Sequence, residues 1–196
     1  MREKSPIKGA RKWILFLYSG WEWLYYRIHK IEADHAEDIL YIRPMTYKGP
    51  PIPLDDGTVI QAGDRVLQLH FNNKMLIEAS FHAKNTMQMI TSLLRVLKST
   101  LKRLGEKLES DTYKDIKGMY GVSLMHRGAT QFGFSVIELP DGLSKRYQHF
   151  YLRMLMAIMH PNGKERLKQK TDLLTPKIVA ASRDTFLQHV RQDKTS

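Results

Sequence analysis

One apolar pattern at the middle of the chain restricts its possible folds more than any other feature. Between residues 87 and 108, large apolar side chains recur at spacings of three and four: Met87, Ile90, Leu94, Leu97, Leu101, Leu104 and Leu108. This spacing predicts a helix over Thr86 to Leu108 with one apolar seam. Four cationic residues lie largely off the seam, namely Arg95, Lys98, Lys102 and Arg103. A coiled coil would need more heptads, so the pattern favours a core helix that packs on a sheet.

The segments around this helix predict the strands of that sheet. Alternating or continuous apolar runs mark strands over 38–47, 65–71, 118–125 and 134–139, and Asp56-Gly57 is typical of a hairpin turn. Only Arg127 to Gly133 separate a strand that ends near His126 from one that begins near Phe134, which is shorter than a usual parallel crossover. The sequence therefore predicts an α+β fold with a mainly antiparallel or mixed sheet.

Further helices are expected at both ends. Residues 13–31 carry an amphipathic pattern, a helix is expected to end near Met159, and a short final helix begins at Ser182, whose hydroxyl can cap it. The length of 196 residues fits one domain over 1–196, with residues 1–11 and about 188–196 flexible.

The charge composition indicates which classes of partner the chain attracts. The formal net charge is +11, and from Lys145 onward eleven basic residues face four acidic ones, a net of +7. This balance favours an anionic small molecule, a glycan or a lipid headgroup. Nucleic acid ranks lower, because no recognised nucleic-acid motif occurs. The absence of cysteine excludes disulfides and thiolate chemistry, and it is compatible with the cytoplasm.

The N-terminal segment resembles a signal peptide only in outline. Its apolar run, Trp13 to Trp21, is short, and Glu22, Arg27 and Lys30 follow too soon for a membrane span. We therefore expect a cytoplasmic protein in which this helix packs between a sheet and another helix. The alternative is a peripheral contact of Trp13, Phe16 and Trp23 with a membrane surface or a partner protein.

The candidate site lies at two strand ends. His126, Arg127 and Gly128 follow one strand and precede a helical turn, a combination that suits a phosphate or carboxylate. His70 ends another strand, and Asn72 and Asn73 follow it. The hypothesis assigns catalytic roles to His70 and His126 and ligand binding to the other residues: Asn72, Asn73, Arg127 and Gly128. The alternative is a polar corner without chemistry.

Established motifs for other chemistries are missing. The chain has no phosphate-binding loop, no dinucleotide-binding glycine pattern, no nucleophile elbow and no histidine pair at ligand spacing. We therefore predict no metal and no cofactor.

Three stretches resemble the YkoP-like domain family: LDDGTVIQAGDRVLQLHFNN (residues 54–73), SLMHRGATQFGF (123–134) and YLRMLMAIMHPNG (151–163). This family comprises bacterial domains that occur alone or attached to polysaccharide deacetylases. The resemblance implies a bacterial setting and an envelope connection, and it supplies no catalytic residues.

A second resemblance concerns topology. The predicted order of elements is similar to that in the C-terminal half of the GNAT acetyltransferases. It consists of a strand, a long helix, a strand, a short helix and a strand that begins with Gly-Phe. Those folds hold the pyrophosphate of acetyl-CoA at a glycine-rich turn, whereas residues 72–85 here contain no glycine.

Together these observations lead to two hypotheses of function. The first is a basic accessory or binding domain that recognises an anionic ligand, with an envelope connection. The alternative is a transferase of acyl or glycosyl type that uses the His/Arg site at the strand ends. The identity of the ligand and the oligomeric state do not follow from the sequence.

Overall fold

The computed structural model describes residues 38–72, 86–123, 126–140 and 175–193, together with Gly20, Arg27, Met75, Leu76, Ala79 and Gly142. Of the helix predicted over 13–31, only Gly20 and Arg27 are described, and both are helical. The rest of that helix, the helix predicted to end near Met159, and the side chains of Trp13, Phe16, Trp23 and Asn73 lie outside the described residues. That the chain is a single domain with flexible ends stays a prediction.

The described part contains seven strands and two α-helices. In chain order they are β1 (Leu40–Thr46), β2 (Ile52–Pro53), β3 (Val59–Ile60), β4 (Arg65–Phe71), α1 (Thr86–Leu108), β5 (Gly118–Ser123), β6 (Ser135–Glu138), β7 (Lys177–Ser182) and α2 (Arg183–Asp193). Short 3₁₀ turns cover Asp111–Tyr113 and Ala129–Phe132.

Five strands form one mixed sheet in the order β1-β4-β5-β7-β6, and β2 and β3 form a separate two-stranded sheet. β4 and β5 are parallel, and the other neighbouring pairs are antiparallel. The α+β class and the mixed sheet are confirmed. The likeness to acetyltransferase topology stays a prediction.

The two faces of the sheet bury separate clusters. On one face, Leu67 and Met119 pack against α1 and α2 through Leu104, Leu108 and Phe186. On the other face, Val66 and Ala180 pack beneath Ile52, Leu54 and Ile60 from the small β2–β3 hairpin. The alternation along β4 predicted from the sequence is confirmed, with Leu67, Leu69 and Phe71 on the helix face.

The long helix has the predicted bounds, but only part of its seam is buried. Leu101, Leu104 and Leu108 are each at most 4% exposed, and each contributes about 1.5–3 kcal/mol by burial. Met87, Ile90 and Leu94 are instead exposed. The expectation of one core-facing seam therefore holds for the C-terminal half of α1, which lies over the sheet, and fails for the N-terminal half.

The sequence did not predict β7. This strand lies between β5 and β6, and both pair antiparallel with it. β5 and β6 therefore run in the same direction, joined by a short connection over residues 124–134. So short a connection suffices because Ser123 pairs with Lys177 and Ser135 with Ala180, only three positions apart along β7.

The start of the final helix follows the prediction. The Ser182 hydroxyl accepts a hydrogen bond from the main-chain N–H of Thr185 at 3.1 Å, as an N-cap does. The same hydroxyl and that of Thr185 donate to the Asp56 carboxylate, which joins the β2–β3 turn to the positive end of α2.

A buried carboxylate ties α1 to the sheet. Asp38, just before β1, has a side chain that is 5% exposed. Its Oδ1 atom accepts hydrogen bonds from two guanidinium nitrogens of Arg103 and from the Thr100 hydroxyl. Two side chains of α1 thus hold the helix against the first strand.

Replacing Arg103 by methionine should lower the free energy of unfolding by about 1.5–3 kcal/mol, the usual value for hydrogen bonds to a charged group. Arg95→Met is the matched control, because Arg95 is exposed on the same helix and has no described ion pair. Urea denaturation measures both variants. Equal stability of the two variants would contradict the role assigned to Arg103.

Candidate functional site

The strand ends predicted to form a site lie where the neighbouring strands β4 and β5 both end, a region called the sheet edge below. β4 and β5 are neighbours with parallel register, Gln68 opposite Tyr120. The ends that carry His70 and lead to His126 therefore point the same way, with about 4.8 Å between adjacent strands. Whether the two imidazoles share one pocket stays a prediction.

Asn72 has a structural role at this edge. It is 4% exposed, its amide nitrogen donates to the Asp38 carbonyl at 3.1 Å, and its amide oxygen accepts from the Met75 N–H at 3.2 Å. These bonds fix the exit from β4. Its assignment to ligand binding stays a prediction.

The His126-Arg127-Gly128-Ala129 segment forms a β-turn. The His126 carbonyl accepts from the Ala129 N–H at 3.1 Å. Gly128 has φ 81° and ψ 1°, values typical of the third position of a type II turn, which glycine adopts without strain. Arg127 is exposed at the tip, so the turn presents its guanidinium to solvent.

The surroundings of His126 favour its neutral form. Burial, together with the positive charges of Lys177 and Arg127, lowers the pKa of His126 below the usual 6.5. A hydrogen bond with the main chain of Thr175 and the charge of Glu138 act in the opposite direction. The Nε2 atom of His126 is buried without a hydrogen-bond partner. A neutral imidazole with one unused nitrogen is what a general base requires.

A separate cavity of about 530 Å³ lies on the helix side of the sheet. Its walls come from α1, from the 3₁₀ turn that follows His126, and from α2. The helices approach closely at Gly105, where an added Cβ would lie 3.0 Å from Cγ1 of Val190. The cavity opens on the N-terminal side of this contact along α1.

One wall of the cavity is cationic. Its polar lining residues are Arg95, Lys98, Ser99, Lys102, Gln131 and His189, and none of the described lining residues is acidic. Arg95, Lys98 and Lys102 are spaced i, i+3 and i+7, which places them on one helix stripe. Residues 86–105 contain no Asp or Glu at all. Within the described part of the chain, Arg95 and Lys102 take part in no ion pair.

The floor of the cavity is apolar. It consists of Leu101, Phe132, Phe186 and Val190. Gly133 brings the turn against α2, since a Cβ there would lie 3.1 Å from Cβ of His189, and its φ of +76° favours glycine. A concave site with a cationic wall and an apolar floor can hold an anion that also has an apolar part.

Only the part of this cavity that comes from α1 can be recognised in the sequence. The three cations of α1 appear in the sequence as a stripe beside the seam, and the lack of acids over 86–105 was a usable signal. Gln131 and His189 come from distant segments, so only the fold brings them to the same cavity.

Other kinds of site are not found in the described residues. No group of three or more His, Asp or Glu side chains is arranged there to hold a metal ion. Within the same part of the chain, no helix combines the length and apolar character needed to cross a bilayer.

The fold and the cavity define a basic α+β domain with a helix-covered mixed sheet. A family model for the YkoP domain matches residues 11–190, nearly the whole chain. The protein belongs to the YkoP domain family, as the resemblance of its motifs indicated.

The name of the relative that the chain matches states no activity. The chain is similar to a protein from Bacillus subtilis (strain 168) named "Uncharacterized protein YkoP", with 24% identity over 112 residues, or 57% of this chain. The match spans 61% of that relative's length. No solved structure matches the chain significantly.

The environment of His126 predicts its titration. Because the pKa of His126 is lower in the folded state than the usual 6.5, the unfolded chain binds this proton more readily, and the stability of the fold decreases as the pH drops below about 6.5. NMR titration, with the signal assigned by its loss in His126→Gln, should give a pKa below 6.5. Lys177→Gln should raise that pKa, whereas Lys48→Gln, on the β1–β2 loop, should not. Titration of His126 at or above 6.5 would refute this description.

Proposed function

We propose that this domain is a binding module for an anionic ligand, held in the cavity between α1, the 3₁₀ turn at Ala129–Phe132 and α2. The observation that carries the proposal is the pair of cations Arg95 and Lys102, which line the cavity without ion-pair partners among the described residues. Cations held together without counter-charge repel one another, and an anion relieves that repulsion.

The size of the cavity supports a small ligand or a headgroup. Small-molecule sites have volumes of about 300–1,000 Å³, and the cavity of about 530 Å³ falls within that range. A nucleic-acid duplex would need an extended basic surface instead. The guanidinium of Arg95 suits bidentate contact with a phosphate or carboxylate, and the Ser99 hydroxyl and the Gln131 amide add neutral donors.

The long-range field favours the same class of ligand. The net charge of +11 attracts anions toward the whole molecule, and the cavity is where described cations converge around an apolar floor. A setting in the cytoplasm or at the bacterial envelope is part of the proposal.

A transferase is the second candidate, and one observation favours it. His126, whose lowered pKa favours the neutral imidazole and whose Nε2 has no hydrogen-bond partner, would act as the base once a hydroxyl or amine nucleophile reached that buried nitrogen. His70 and Arg127 would complete that site at the sheet edge. The binding module ranks first because its residues line one cavity, whereas the transferase depends on a convergence of His70 and His126 that stays a prediction.

The binding proposal is tested with inorganic pyrophosphate as a minimal polyanion, by isothermal titration at low and at physiological salt. We expect salt-sensitive binding that the double variant Arg95→Gln/Lys102→Gln weakens roughly tenfold per cation removed. Lys48→Gln/Lys114→Gln removes the same charge from exposed positions outside the cavity and is the matched control.

Equal loss of affinity in the two double variants would show that only net charge matters, and the cavity would be rejected as the site. No binding of pyrophosphate to the unmodified chain would reject it as well.

A further inference from the structure

The N-terminal half of α1 carries an exposed apolar stripe. Met87 is 72% exposed, Ile90 44% and Leu94 43%. Their spacings of three and four place them on one side of the helix. Val59 is the only other large apolar side chain that is exposed in the described part of the chain. Three of the four such side chains therefore share one surface, which is unusual for a face in contact with water alone.

This stripe leads directly into the cavity. It continues the seam that Leu101 extends onto the cavity floor. The stripe of Arg95 and Lys102 lies beside it, about a quarter turn around the helix axis at 3.6 residues per turn. An apolar surface and a cationic surface thus adjoin along a 23-residue helix.

We propose that this half of α1 docks on the surface of an anionic lipid membrane. Met87, Ile90 and Leu94 enter the region between the headgroups and the acyl chains, while Arg95 and Lys102 bind lipid phosphates. An amphipathic helix that lies in the interface has this division into an apolar face and a face rich in Lys and Arg. Membrane docking in this form rests on the proposed function, because it requires an anion at the cavity. It identifies that anion as a phospholipid headgroup.

Charge favours a membrane over a second copy of the chain. Two copies joined through their apolar stripes would bring Arg95 and Lys102 of each close to those of the other. Residues 86–105 of α1 offer no carboxylate to compensate. The surface of an anionic bilayer supplies the opposite charge together with an apolar layer.

Co-sedimentation with vesicles tests the proposal on the full chain. We expect binding to phosphatidylcholine vesicles that contain phosphatidylglycerol and little binding to pure phosphatidylcholine. Arg95→Gln/Lys102→Gln should weaken binding roughly twenty-five-fold, at about fivefold per cation near the surface. Lys48→Gln/Lys114→Gln should weaken it less.

The apolar contribution is tested with Ile90→Ser/Leu94→Ser, against Val59→Ser as the control for loss of an exposed apolar side chain. These side chains are only partly covered, so the thermal unfolding midpoints should fall by no more than a few degrees, which would confirm folding. We expect the double variant to lose vesicle binding and to retain binding of pyrophosphate, and Val59→Ser to retain both.

Vesicle binding by Ile90→Ser/Leu94→Ser equal to that of Val59→Ser would overturn the inference, as would failure of the unmodified chain to bind anionic vesicles. If pyrophosphate still binds in either case, the proposed function stands without the membrane. Stripe-dependent vesicle binding without pyrophosphate binding would support docking and reject the cavity as an anion site.

Discussion

The arrangement of this domain depends on a carboxylate buried between the sheet and its long helix. Asp38 accepts hydrogen bonds from Arg103 and Thr100 of α1, and its carbonyl accepts one from the Asn72 amide at the end of β4. A buried charge is costly unless such partners surround it, so this contact fixes how α1 is rotated about its own axis. Neighbouring residues on a helix point about 100° apart. With Arg103 directed to Asp38, Lys102 is directed into the cavity.

The second constraint is the short connection between β5 and β6. Because β7 lies between them, the chain from β5 to β6 must cross that strand. Its described part crosses on the helix side, where Ala129, Phe132 and Phe134 join the core with Phe186. The Phe134 and Phe186 rings lie 5.7 Å apart. This passage places Gln131 opposite α1 and completes the cavity. The His-Arg-Gly turn, which suggested a site in the sequence, begins the same passage and leads into the segment that lines the cavity.

The sequence predicts those parts of the fold whose signals are local. The bounds of α1 follow from its apolar period, β4 from alternation, and the start of α2 from the Ser182 cap. β7 was missed because Lys177–Ser182 is a short run rich in small residues, and its strand state depends on pairing with β5 and β6. The exposure of Ile90 and Leu94 was missed for a related reason, since periodicity reveals an apolar face without showing where the core beneath it ends. The cavity depends on three separated segments and could not be assembled from spacing alone.

The anion is proposed to bind in the cavity on the helix side rather than at the sheet edge. NMR mapping of amide chemical shifts in the isotope-labelled full chain during titration with pyrophosphate distinguishes the two places. Binding in the cavity should give saturable shifts at the α1 amides from Arg95 to Lys102, at Gln131 and Phe132, and at His189 and Val190. Shifts concentrated at His70 and from His126 to Gly128, with the α1 amides unchanged, would contradict it and assign the anion to the sheet edge.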